Sequence, residues 1–287
     1  MGFKYGRLGA KPTAGALIGR TILVLILLTF TVMTIYPILW LIQSSLKTTQ
    51  EFQMNRIGLP IEPTLSNYPL AWKIGGFTSL FLNSILYTSI STIAIVFLSL
   101  SASFAFAKIR MRATKFLYQS FVVGILLTLQ SIMVPLFLLT NMVGLYDTRI
   151  GILIPYIGLG LPMGVYLGTE FIRSIPDSLI ESARLEGAGY IRIFISIIFP
   201  ISVPVAVTLA IMTVTSIWNE FMLINILASK NSIKSLPVGI LKFSGALSSD
   251  YGKQFAALVI GMLPMLIFYL IFRKHIQRGL AAGAVKG

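Results

Sequence analysis

The chain has no cysteine, a single histidine, and only nine acidic residues against 23 lysines and arginines. Without thiols there is no disulfide framework and no thiolate metal site. The sparse acids and lone His275 form no carboxylate pair, no metal-ligand cluster and no nucleophile with a base beside it. No G-x-x-x-x-G-K-[ST] phosphate loop occurs, so the chain does not hydrolyse ATP by that route. Charged residues are 11% of the sequence, well below the roughly 25% of soluble domains. The formal charge of +14 raises nucleic acid as a partner, but no basic groove interleaved with aromatics accompanies it.

What is abundant is apolar sequence, 56% of residues, gathered into six runs. Thr21 to Ile42 carries no charge, and about 20 apolar residues cross a bilayer core. The run is too long for a signal-peptide core and lacks a small-residue cleavage pattern. Residues 21–42 therefore read as a retained first transmembrane helix after a basic tail, 1–20, with Tyr36, Pro37 and Trp40 at an interfacial end. Residues 43–77 read as an extracytoplasmic loop, where Pro60, Pro63 and Pro69 argue against a long helix. A core follows over 78–272, with spans at about 78–107, 116–139, 150–172, 201–228 and 255–272, and a tail over 273–287. Serines and threonines in the second run suit interhelical hydrogen bonds, and Gly160, Gly164 and Gly168 suit close helix packing. Glu220 is the one acid placed inside an apolar run. Unpaired in lipid it would cost roughly 2.5–3.5 kcal/mol, so it is expected to face protein, water or the outer interface.

The fold class is thus an all-α integral membrane protein of six transmembrane helices. Six spans put both termini on one side. Fifteen of the 23 basic residues fall in the tails, the 108–115 turn and the 173–200 loop, and eight on the opposite side. Excess Lys and Arg mark the cytoplasmic side, so both termini and the 173–200 loop are expected there. This also accounts for much of the positive charge without nucleic acid.

That loop reads RSIPDSLIESARLEGAGYIRIFISIIFP from Arg173 to Pro200. Ser174 and Asp177 are spaced as a capping pair, and Pro176 suits a first helical turn. No breaker interrupts Asp177 to Glu186, and Gly187 and Gly189 offer positive-φ positions that end a helix. Ile191, Phe194, Ile195 and Ile198 then give a second helix one apolar face. Asp177 and Glu181 lie one turn apart, a repulsion of roughly 0.2–0.5 kcal/mol that Arg184 is placed to relieve. The result reads in two ways: a self-consistent surface helix, or a short acidic helix, hinged by glycine, held out from a membrane domain to fit a partner's groove.

Glu181-Ser182-Ala183, Gly187, Ile197 and Phe199-Pro200 keep the full spacing of the E-A-A, three residues, G, nine residues, I, one residue, L-P loop of ABC-importer permeases, which this chain resembles. Ser182 and Phe199 depart from that pattern in side chain only. The resemblance implies a coupling helix seated in a cleft of the ATPase subunit, with Asp177, Glu181, Ser182, Ala183, Glu186, Gly187 and Gly189 as the coupling set. Within it, Glu181 would be the polar contact, Ala183 a close-packing surface and Gly187 the hinge. Trp218-Asn219-Glu220-Phe221, Leu236-Pro237-Val238-Gly239 and the closing Gly279-Leu280 with Gly283 to Gly287 are similar to the carbohydrate-uptake branch, whose maltose-type permeases are familiar members. Trp218, Asn219 and Glu220 are the candidates for lining or supporting the pathway.

The resemblance further implies the type I ABC importer permease fold, in the cytoplasmic membrane of a prokaryote. The function it implies is translocation of a sugar or oligosaccharide by alternating access. Implied partners are an ABC ATPase dimer, a second permease subunit, an extracytoplasmic solute-binding protein and membrane lipid, with no cofactor, no metal and no nucleic acid. Two alternatives are a permease for another small polar solute, such as a polyol phosphate, and half of a secondary transporter. The latter usually needs intramembrane acids or histidines, for which only Glu220 stands.

Overall fold

A computed structural model describes residues 14–109, 112–243 and 250–284. Arg110 and Lys286, the first thirteen residues and the last three lie outside it. No strand occurs among the described residues. The elements are α1 (Ala14–Ser45), α2 (Thr49–Met54), α3 (Asn67–Gly75), α4 (Phe77–Lys108), α5 (Thr114–Gly124), α6 (Leu129–Met142), α7 (Arg149–Arg173) and α8 (Asp177–Leu185). After α8 come α9 (Tyr190–Ile193), a π-helical turn (Phe194–Ile198), α10 (Phe199–Ile201), α11 (Val203–Asn219), α12 (Met222–Leu227), α13 (Leu236–Ile240) and α14 (Tyr251–Ala284).

Four stretches are long and apolar enough to cross a membrane: Gly19–Ser45, Phe77–Lys108, Arg149–Arg173 and Tyr251–Arg273. Two more are bent pairs. α5 and α6 meet at 105°, and Tyr190–Ile201 meets α11 at 75°. Counting each pair as one span gives six, the number expected. The single straight helices expected over 116–139 and 201–228 are replaced by helices broken at 125–128 and at Glu220–Phe221. Helix also extends into both expected tails, from Ala14 at one end and to Ala284 at the other.

α4 and α7 form the central pair. Gly160, Gly164 and Gly168 of α7 face Ile95, Ser99 and Ser103 of α4, and a Cβ on any of them would collide with the facing side chain. The four-residue spacing is the same on both helices and ascends together, so the two run parallel and let their backbones approach. Ser103 seals the contact by donating to the Val165 carbonyl at 3.0 Å.

α1 is apolar all round, and none of its best 18-residue apolar stretch is buried within the chain, as suits a lipid-facing helix. It is held at its C-terminal end. Trp40 packs edge-on against Phe52 and Phe255 and donates to the Arg56 carbonyl at 2.9 Å. The 43–77 segment is folded rather than loose. Its fully buried Lys47 donates to the carbonyls of Asn55, at 2.7 Å, and Gly58. Asn55 caps the C-terminus of α2, where the helix dipole favours a cation. Asn67 bridges the carbonyls of Ser45 and Lys47, both at 2.8 Å.

Gly164→Leu should overpack the α4–α7 seam and destabilise the protein by about 1–3 kcal/mol. The check is the thermal midpoint of the detergent-solubilised protein, with Ser99→Gly in the same chain restoring part of the loss.

Candidate functional site

Two places carry polar chemistry: α8, and the far end of the bundle where α11 breaks. α8 begins at Pro176, whose φ of −59° and ψ of 135° make it the N-cap, without a side-chain cap. Ser174 does not take part in capping α8. It closes the preceding helix, its hydroxyl donating to the Phe171 carbonyl at 2.7 Å. Asp177 is instead met by Lys108, the last residue of α4, at 2.6 Å. The lysine side chain is 5% exposed, and its ammonium also donates to the Ile175 carbonyl. The cation sits at a helix C-terminus and the anion at a helix N-terminus, so both dipoles reinforce the pair.

The C-terminus of α8 is a Schellman turn. Gly187 has φ of 82°. Its N–H donates to the Arg184 carbonyl and the Ala188 N–H to the Ala183 carbonyl at 2.9 Å, the two reverse bonds that satisfy a helix end. Gly189 has an ordinary φ of −74°, so only one of the two glycines is required by backbone geometry. Ile180 and Ala183 are buried. Ala183 therefore offers its close-packing surface to the protein's own core. Glu181, Ser182 and Glu186 face outward, beside Leu185 at 91% exposure. Arg184 does not relieve Glu181; its guanidinium lies 5.0 Å over the Tyr190 ring.

The apolar face expected beyond the hinge is displaced. Ile193, Phe194 and Ile198 are buried while Ile191 and Ile195 are exposed. The π turn adds a residue per turn, so positions five apart, 193 and 198, share the inner face. Near the end of α7, Glu170, which sequence reasoning passed over, accepts from Tyr118 at 3.1 Å and Arg173 at 2.7 Å. Its legible signal was the i, i+3 pairing with Arg173.

At the other end, the break after Asn219 is organised by Glu220. Its carboxylate accepts from the N–H of Leu223 at 2.7 Å, the N–H of Ile224 at 3.4 Å and the Tyr156 hydroxyl at 2.6 Å. The acid answers the open donors of α12 and ties them to α7. It borders a cavity of about 310 Å³ between α4, α6, α7, α11 and α12. Trp218 faces elsewhere, packing on Phe81, and Asn219 bonds back to the Thr215 carbonyl at 2.8 Å. Of the three pathway candidates, Glu220 alone lines this cavity.

The chain after α12 is sewn to its neighbours. Asn83 donates to the carbonyls of Ser232 and Lys234, Tyr87 to that of Ile233, and the Leu236 N–H to Ser84. The Asp147 carboxylate accepts from the N–H groups of Ser229 and Lys230, both at 2.9 Å, and pairs with the Lys230 ammonium at 3.3 Å. The Lys230 N–H first, then that of Ser229 and the ammonium, hold this carboxyl below its ordinary value.

A polytopic helical bundle with a short helix riveted at one end and closed by a glycine turn, and broken spans around a polar-edged cavity, is the form of a transport subunit. Residues 73–282 match the model of the family described as the binding-protein-dependent transport system inner membrane component, and the chain belongs to that family. It is 35% identical over 252 residues to a putative ABC transporter permease of Caldicellulosiruptor, covering 88% of this chain and 91% of that one. It is 33% identical over 261 residues to the multiple sugar-binding transport system permease MsmG of Streptococcus mutans, covering 89% and 93%. Its fold superposes with a TM-score of 0.83 on a chain of a bacterial ABC transporter that imports the acidic polysaccharide alginate, at 21% identity over 92% of this chain and 99% of that one.

Because the folded state depresses the Asp147 pKa, its clamp contributes stability above the unfolded value of about 3.9, and this is lost as pH falls through the folded value. Hydrogen exchange at the amides of Ser229 and Lys230 should accelerate, relative to the intrinsic rate, as the medium is acidified below about pH 4. Asp147→Asn, which tolerates the residue's φ of 58°, should abolish that dependence.

Proposed function

We propose that this chain is the permease subunit of an ATP-driven importer for a sugar or oligosaccharide. It would work with a separate ATPase dimer, a second permease subunit and an extracytoplasmic solute-binding protein. The observation that carries the reading is α8: a helix fixed to the bundle by the buried Lys108 at its start and a Schellman turn at its end. It turns Glu181, Ser182, Leu185 and Glu186 away from the chain. A preorganised, exposed surface of this kind suits the docking of another protein.

Asp177, Glu181, Ser182, Glu186 and Gly187 form the coupling element, with Ala183 and Gly189 seating it. Lys108 joins them as the link to α4. ATP binding in the partner draws its two subunits together, α8 moves with its cleft, and the α4–α7 pair carries the motion across the bilayer. Coupling requires that α8 contact the two motor states unequally. With α8 on the cytoplasmic side, both termini are cytoplasmic, and the 43–77 and 229–255 loops receive the sugar from the binding protein. The multiple-sugar relative supports carbohydrate as the solute class.

In a complex purified with its ATPase, Gly187→Val forces a β-branched residue into the left-handed region, at roughly 1–2 kcal/mol. Stimulation of ATP hydrolysis by loaded binding protein should fall about tenfold, the equivalent of 1.4 kcal/mol. Lys108→Met should leave assembly intact and lower sugar moved per ATP. Unchanged stimulation and unchanged yield per ATP in assembled complexes would remove α8 from the coupling route.

A further inference from the structure

Thr213, Ser216 and Glu220 stand at i, i+3 and i+7 along α11 and its end, on one helix face, and all three line the 310 Å³ cavity. The hydroxyls of Thr213 and Ser216 have no hydrogen-bond partner among the described residues. Opposite them the cavity is apolar, with Leu159 and Met163 among its walls, and Tyr156 closes the Glu220 end. Two broken spans converge here. Leu127, between α5 and α6, and Glu220, between α11 and α12, both border the space. Interrupted helices at membrane depth are tolerated where they line a cavity, and transporters place solute sites at such interruptions.

We propose that this cavity is a solute contact site for a neutral saccharide, with Thr213, Ser216 and Glu220 as its hydrogen-bonding edge and the leucine and methionine walls meeting the sugar's C–H face. The charge of the site decides the class. Among the described residues no lysine or arginine lines it, and the first N–H groups of α12 are already bonded to the Glu220 carboxylate. An acidic sugar would meet that carboxylate in a low-dielectric space with no compensating cation. The inference rests on the permease reading and adds that this subunit itself touches the solute and rejects uronates.

The absence of cysteine makes the test direct. Thr213→Cys, Ser216→Cys and, buried on the same helix away from the cavity, Val205→Cys are each placed in the complex co-purified with its ATPase and binding protein. Labelling by 2-aminoethyl methanethiosulfonate is then followed with and without nucleotide. Positions 213 and 216 should react and 205 should not. A pool of neutral di- and trisaccharides (glucosides, galactosides, xylosides and N-acetylglucosaminides) should slow labelling several-fold, and digalacturonate should not. No reaction at 213 and 216, equal reaction at 205, no protection by the neutral pool, or protection by digalacturonate would each overturn the proposal. A complex that still couples ATP hydrolysis through α8 while failing these criteria would sink this inference and leave the permease reading standing.

Discussion

The close approach of α4 and α7 is the contact on which the other features depend. Three glycines four residues apart bring the backbones together along more than two turns. Lipid gives apolar helices no hydrophobic reason to associate, so packing of this kind has to hold them. Both ends of the molecule hang from the pair. At one end α4 supplies Asn83, Ser84 and Tyr87 to the chain after α12, and α7 supplies Tyr156 to Glu220. At the other, α4 ends in the lysine that holds α8, and α7 leads into α8 through a three-residue turn. One rigid pair therefore links the cavity to the hinged helix.

Around that pair the structure follows the rule that backbone polar groups in a bilayer must be satisfied from within. Where α11 stops, a carboxylate answers the donors of α12. Where the chain passes from α6 to α7, Asp147 answers the donors of Ser229 and Lys230. Buried cations obey the same rule in reverse. Lys47 and Lys108 sit by helix C-termini and donate hydrogen bonds to carbonyls. A buried charge is tolerated when hydrogen-bonded and paired, and each of these acids and lysines has its partners on a different element. They act as rivets between helices.

The class of fold was legible because a bilayer imposes length and apolarity on each span, and those survive in any sequence reading. The hinged loop was legible because Gly187 and the helix before it follow local rules of termination. What escaped was set by partners far away in sequence. Nothing near Asp177 announces Lys108, 69 residues earlier. The break at Glu220 was hidden because no Gly or Pro falls between Val205 and Ala228; the signal was the acid itself, read as something to be sheltered rather than as the cause of the break. Ile191 and Ile195 were assigned to the inner face by a 3.6-residue period, which fails where the backbone adopts a π turn. Trp218 and Asn219 were grouped with Glu220 as one run of the resemblance, although successive helical residues point about a quarter-turn apart or more.

Unequal distribution of polar bonds also bears on how the bundle changes shape. The chain after α12 is held by bonds from α4 and from the turn before α7, and α8 is locked at both its ends. Between α8 and α11 lies a different kind of segment: the π turn, then a 75° bend at Ser202. Ser202 is fully buried and its hydroxyl is without a partner among the described residues. The bend is bounded by Pro200 and Pro204, which remove two backbone donors. Phe194 packs there among Phe97, Phe104 and Phe199, contacts that slide more readily than hydrogen bonds break. Under the proposed coupling, a displacement of α8 relative to α11 would be taken up at this joint, with the stitched end and the α4–α7 pair moving as units. Rigidity where glycines interlock and compliance where the helix is wound wrongly are the two properties that the proposed coupling of α8 to the cavity would require.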